Sequence, residues 1–297
     1  MMQKTTAVAT TEEKKFELIT AADGMSEEEL AEFQDELADL DDTRNINARR
    51  IKISGITYEI ETDNPDEPDV KKEVEGVIVF THRLNSRWPE DGTATDPDAP
   101  LLPVCSSIDS KTGYKFEDPG TPINCDTCPF NQWGTAVDTK TGEKLRGKAC
   151  KNGRRIYLML PGDSHVYMLT VPPTSIKQVN DQIARAMGDG STPYTKLIMR
   201  FRLEKVKKGN QEYSKVKIEK AGVLDPETAA KVSAMRKDVK EQYKSIAIIA
   251  DDYEIETSTA ATTPTLATTT LATTAGTPNE DGFINIPDGI DKELPFA

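Results

Sequence analysis

Cys105, Cys125, Cys128 and Cys150 are the only cysteines in 297 residues, and all fall in one segment rich in Gly, Pro, Asp and Thr. Aliphatic side chains are sparse there, so hydrophobic burial alone cannot fold it, and a bound metal would supply the missing free energy. The spacing is C-x19-C-x2-C-x21-C. An x2 turn brings two thiolates to a shared apex, and the outer pair closes the site from the flanking segments. One structural Zn2+ held by Cys105, Cys125, Cys128 and Cys150 is the expectation. Four thiolates leave no open coordination position, so such a zinc is not catalytic. A redox-active CxxC or disulfides form one alternative, although no thioredoxin-like βαβ pattern surrounds the pair; free thiols or an iron–sulfur cluster are the others. His82 and His165 lie outside the cluster and are not counted as ligands.

Several function classes are excluded at this stage. No apolar run approaches the roughly 18–20 residues needed to span a bilayer, and the charged N-terminus MMQKTTAVATTEEKKFEL does not read as a secretory signal. A cytoplasmic protein is therefore expected, the host cytoplasm if the gene is a phage's. The deaminase pattern H-x-E with P-C-x-x-C is missing, because His82 precedes Arg83-Leu84 and His165 precedes Val166-Tyr167. No metalloprotease, phosphate-loop, dinucleotide or nucleophile-elbow motif is present. An enzyme is not expected.

The formal charge of −13 conceals a segregation. Residues 1–100 carry 11 basic and 25 acidic side chains, residues 139–220 carry 18 and 7, and residues 250–297 carry one and 9. A basic middle between acidic ends suits a polyanion-binding surface screened by its own termini.

Four regions follow. Residues 1–45 read as an acidic arm, a candidate for self-association. Its short helix starts at the capping box Ser26–Glu29 and bears Leu30, Phe33, Leu37 and Leu40 on one stripe. Residues 46–250 form the folded core, with the cysteine insertion at about 104–151. Residues 251–278 are a Thr/Ala-rich flexible linker, and 279–297 an acidic tip with apolar residues, suited to docking a partner.

Within the core, Arg49–Ile60 reads as a strand whose alternation changes phase around Gly55, as a bulge or sharp bend requires. Glu73–Leu84 is a second strand. Arg154–Leu160 and His165–Val171 flank the turn Pro161-Gly162-Asp163. An amphipathic helix follows over Ser175–Met187, capped by Ser175 and Gln178. Lys196–Lys208 and Gln211–Lys220 form a hairpin around Gly209-Asn210, and a last helix begins at Asp225-Pro226. This order predicts a mainly β, α+β protein: an OB-like five-stranded barrel with an inserted four-cysteine zinc loop, flanking helices and disordered termini.

Strand alternation places Ile156 and Leu158 opposite Arg155 and Tyr157, Val216 and Ile218 opposite Tyr213, Lys215 and Lys217, and Phe201 opposite Arg200 and Arg202. Rings interleaved with cations suit single-stranded nucleic acid, where bases stack and phosphates are neutralised. The predicted binding face is thus Arg155, Tyr157, Arg200, Arg202, Tyr213, Lys215 and Lys217, joined by Trp133, Lys148 and Lys151 from the insertion. Phe130 and Trp133 read equally well as rings packed over the metal loop.

The terminal Asp291-Lys292-Glu293-Leu294-Pro295-Phe296, placed after a low-complexity linker, resembles the acidic D-D-D-I-P-F tail of bacterial single-stranded DNA-binding proteins. A basic OB-like body with a zinc insertion and an acidic tail also resembles bacteriophage helix-destabilising proteins. The resemblance implies a protein that coats single-stranded DNA in replication, recombination and repair. It also implies that the tail recruits partner enzymes through Asp291, Glu293, Leu294, Pro295 and Phe296 and competes with DNA for the groove. The chain departs from the first pattern at Lys292 and at Ala297, which moves the terminal carboxylate one residue beyond the Phe, and from the phage pattern in having no His among its ligands. Two rival readings remain: a zinc-stabilised adaptor or transcription regulator that meets an acidic protein, and a replication nuclease whose carboxylates carry no recognisable motif.

Overall fold

A computed structural model describes residues 16–20, 23–39, 48–64, 66–89, 102–138, 141–188, 190–208, 211–243 and 248. The linker 251–278 and the tail, including Asp291, Glu293, Leu294, Pro295 and Phe296, lie outside them. No described helix is long and apolar enough to cross a membrane.

The described residues form eleven strands and three α-helices. The strands are β1 (Arg49–Ser54), β2 (Thr57–Ile60), β3 (Asp69–Lys71), β4 (Glu73–Arg87), β5 (Cys105–Ser107), β6 (Thr112–Lys115), β7 (Ile123–Asn124), β8 (Lys151–Met159), β9 (Val166–Val171), β10 (Leu197–Lys208) and β11 (Gln211–Val223). The helices are α1 (Glu27–Asp39), α2 (Pro173–Ala186) and α3 (Pro226–Tyr243). The α+β, mainly β class holds. The barrel does not: the sheet is open, in the order β3-β2-β1-β9-β8-β4. The long β4 then carries β10–β11 along its first half and β5-β6-β7 at its end. The pairing that departs most from expectation is β1 with β9, which is parallel. Of the bulge or sharp bend expected at Gly55 the structure has the bend: Ser54 faces Thr57 across a two-residue turn, and Gly55 takes φ +57, open to glycine without a Cβ clash.

Both faces of the sheet are buried, which explains its runs of Val, Ile and Leu. One face sets Ile78, Ile156, Leu158, Leu169 and Phe201 against Val179 and Ile183 of α2. The other sets Val77, Val79, Tyr157, Met159 and Ile198 against Ala229, Val232 and Val239 of α3. A shift of register between Ile78 and Phe80 lets β4 feed both. Each such side chain contributes roughly 1.5–3 kcal/mol by leaving water. Gly76 permits the tightest crossing, since a Cβ there would stand 2.8 Å from the Met159 carbonyl oxygen.

Local signals govern most element ends. The capping box of α1 forms as expected, with the Glu29 amide donating to Ser26 Oγ at 3.2 Å and the Ser26 amide to Glu29 Oε2 at 2.7 Å. Asp225 caps α3 by accepting the Thr228 amide at 2.9 Å. Ser175 does not cap α2: Pro172 and Pro173 start the helix two residues earlier, where a missing N–H costs nothing. Its hydroxyl instead accepts the Val216 amide of β11 at 3.0 Å, and Gln182 Oε1 accepts the Ile218 amide at 2.6 Å. The helix thereby covers the outer margin of the sheet. Nor is the N-terminal arm wholly separate. Phe16 is buried beside α3, the Glu17 carbonyl accepts the Gly162 amide at 2.9 Å, and Lys231 reaches Asp23 at 3.3 Å.

Candidate nucleic-acid interface

The four cysteines stand together at the far end of β4. Cys105 opens β5, Cys125 follows β7, Cys128 precedes a single 3-10 turn over Pro129–Asn131, and Cys150 precedes β8. Backbone and amide bonds build the turn. Asn131 donates through its amide to the Cys128 carbonyl at 3.1 Å and through Nδ2 to the Cys125 carbonyl at 2.7 Å. Gln132 Nε2 donates to the Asp126 carbonyl at 3.1 Å. Asn131 Oδ1 also accepts from Lys148 Nζ at 3.2 Å and Asn152 Nδ2 at 3.1 Å, and Asn152 Nδ2 reaches Asn85 Oδ1 at 2.6 Å. The turn is thereby tied to the ends of β4 and β8.

No disulfide forms, and all four thiols line one cavity of about 410 Å3. Gly113 has no side chain where a Cβ would sit 3.3 Å from both Cys105 Sγ and Cys125 Sγ. Burial pushes the Cys150 thiol up to about 12, and its three neighbours add to the rise. Burial, then Cys125 and Cys128, also push Cys105 up. Each thiolate therefore opposes the others unless a cation joins them. Among the described residues no three His, Cys, Asp or Glu donors converge as closely as a ligated ion requires.

Around the cysteines lies an unusual surface. Every large exposed aromatic among the described residues belongs to this module: Tyr114, Phe116 at 66% exposure, Phe130, and Trp133 at 78%. The Arg87 guanidinium lies 3.6 Å from the Phe130 ring centroid, and Lys148 Nζ lies 5.5 Å from that of Trp133. Lys111, Lys115, Lys144, Arg146 and Lys151 are exposed nearby. Trp133 projects, whereas Phe130, 40% exposed, lines the cavity of the four cysteines.

The sheet face predicted to bind is corrected in two ways. Arg155 and Tyr157 are both 0% exposed, because α3 and Phe16 cover the face on which Tyr157 lies. Tyr157 stacks at 5.8 Å on both Phe80 and His82 and offers no ring to a base. Arg200 and Arg202 are accessible but matched. The antiparallel register puts Glu75 opposite Arg200, with Nε and Nη2 bonds of 2.8 and 2.5 Å. Arg202 pairs with Glu73 and with Glu219, each at 2.8 Å. Tyr213 is half-buried with Lys215 Nζ 5.9 Å from its ring, and Lys217 is exposed. These five residues lie on the hairpin paired with Glu73–Val77, whereas Trp133, Lys148 and Lys151 lie near Asn85–Arg87, so the predicted residues form two groups and not one face.

Arg87, Tyr114, Lys115 and Phe116 were not singled out by sequence. The signal was present in Tyr114-Lys115-Phe116, aromatic residues in a segment with no core to hide them. The chain matches no protein-family model, no curated protein and no solved structure.

Proposed function

We propose that this chain is a single-stranded DNA-binding protein of the phage or bacterial kind, acting stoichiometrically in replication, recombination and repair, and that its cysteine module is the principal contact. The observation that carries this reading is the concentration of exposed rings on one small unit, two of them beneath cations. A base can stack on Trp133 or Phe116 for about 1–3 kcal/mol while Lys148, Lys151 and Arg87 neutralise phosphates. Duplex DNA hides its base faces, so unpaired strands are preferred.

The donor set suits zinc: four thiols around one cavity, no histidine among them, and a glycine where a side chain would crowd two sulfurs. Zinc bound by Cys105, Cys125, Cys128 and Cys150 supplies a cross-link in a segment too poor in aliphatics to hold its rings outward unaided. The acidic tail, by its resemblance, recruits partner enzymes.

The test is a titration of oligo-dT into the Trp88→Phe variant, which leaves Trp133 as the single tryptophan. Quenching that saturates and weakens steeply with salt supports the proposal. Fluorescence unchanged at low salt overturns it.

A further inference from the structure

Ion pairing divides the opposite end of the sheet in two. On β10, Arg200 and Arg202 are held by glutamates on one face, and Lys205 and Lys207 share Glu212 on the other. On the neighbouring margin, Lys177 and Arg185 of α2 converge with Lys215 of β11 on a groove of about 370 Å3. Among the described residues, none of these three has a carboxylate within salt-bridge reach. Asp181 is the one acid in the described lining, and Thr174 and Gln178 add neutral hydrogen-bonding groups. The walls are fixed relative to each other, because Ser175 and Gln182 bond the Val216 and Ile218 amides. Lys177 and Arg185, eight residues apart, stand roughly 12 Å apart along the helix.

Three cations against one carboxylate, set among neutral polar groups with no ring in the lining to stack a base, fit a phosphodiester backbone. Lys215 Nζ also lies 5.9 Å from the Tyr213 ring centroid. Ten residues of β4 separate the β10 pairing at Val77 from the β5 pairing at Arg87, roughly 30 Å of strand. One short oligonucleotide cannot occupy both ends.

We infer that the α2–β11 groove is a second, sequence-blind phosphate site for the same strand whose bases stack on the cysteine module. The inference rests on the module's proposed role. It makes the footprint of one molecule longer than the module alone and gives the strand a direction across the sheet.

The test compares Lys177→Glu/Arg185→Glu with the unaltered chain, both carrying Trp88→Phe, using dT oligomers of about 4 and about 40 nucleotides, one at the lower bound of and one well above the ~4–16-nucleotide footprint of a single binding unit. Both substituted side chains are exposed. With the long oligomer at about 0.1 M salt, affinity should fall by about tenfold or more and the log–log salt slope should flatten by about two. Affinity for the short oligomer, read by Trp133, should be unchanged. An unaltered slope and affinity with the long oligomer overturns the second site, and so does an equal loss with both lengths, which marks a bulk charge effect. If the unaltered chain binds neither oligomer, the module's role fails first and this site with it.

Discussion

The Cys150 amide donates to the Phe130 carbonyl oxygen at 2.8 Å. This one bond joins the cysteine that leads into β8 to the ring just after the CxxC turn, 20 residues earlier in sequence. Sulfur positions and ring positions are therefore set by the same backbone, and whatever draws the thiols together also orients Phe130 under Arg87.

Metal removal tests that coupling. One zinc per chain is expected, and Cys128→Ser or a strong chelator should abolish it. Structural zinc supplies about 10–16 kcal/mol in small finger peptides, so amide protection at Cys125, Ala136 and Cys150 should be lost. Protection in β8 and α3 should persist, because their cores need no metal. Elemental analysis with hydrogen exchange reads both; unchanged module protection without zinc contradicts the assignment.

Two aromatic substitutions should separate binding from folding. Trp133→Ala is expected to weaken oligo-dT binding by about 1–3 kcal/mol with an unaltered melting temperature. Tyr157→Ala should lower stability by roughly 3–5 kcal/mol, in the range of other buried aromatic truncations. Paired titrations and thermal melts give the answer, and the reverse pattern would restore Tyr157 to the surface.

Arg200→Ala and Arg202→Ala should change oligonucleotide affinity by no more than about twofold, since cations already neutralised by glutamate displace few counterions. The partly exposed pairs contribute about 0–1 kcal/mol to stability. A large loss of affinity in either variant would show that nucleic acid displaces the glutamates.

Gly76→Ala should cost about 1–3 kcal/mol through overpacking, because the added methyl meets the Met159 carbonyl oxygen, which cannot swing aside as the neighbouring Leu160 side chain can. Denaturant midpoints measure it. Zinc content and oligonucleotide affinity of the folded fraction should stay the same.

Tyr167 and Asp163 make stability fall at both ends of the pH scale. Burial pushes the Asp163 carboxyl up, yet hydrogen bonds from Tyr167 Oη at 2.6 Å and from the His165 amide and ring outweigh it and hold the group below its ordinary 3.8. Its contribution is present above 3.8 and lost as pH falls below. Burial first, then the bond to Asp163, pushes the Tyr167 phenol from 10.0 up to about 12. That contribution is complete below 10 and is lost as pH rises through about 12. Denaturation of Tyr167→Phe across pH should show both limbs flattened.

What the sequence revealed was local. Caps at Ser26 and Asp225 and the hairpin between β10 and β11 depend on residues a few positions apart, and each forms as read. Alternation also assigned Tyr157 and Ile156 to opposite faces correctly. It could not tell that α3, 70 residues downstream, would cover the second face. Arg200 looked free because Glu75 lies 125 positions away. The order of strands suggested a barrel, but the parallel pairing of Arg49–Ile51 with Tyr167–Leu169 is a tertiary choice with no local signature. The cysteine segment was read by chemistry alone, which singled out four thiols that line one cavity and overlooked Tyr114 and Phe116.

The side-chain bonds from α2 have a consequence for crowding. Molecules strung along one polymer sit at high local density, where an open strand margin would recruit a neighbour's backbone and grow into fibres. With the Val216 and Ile218 amides already engaged by α2, the middle of the β11 margin is withdrawn from such pairing.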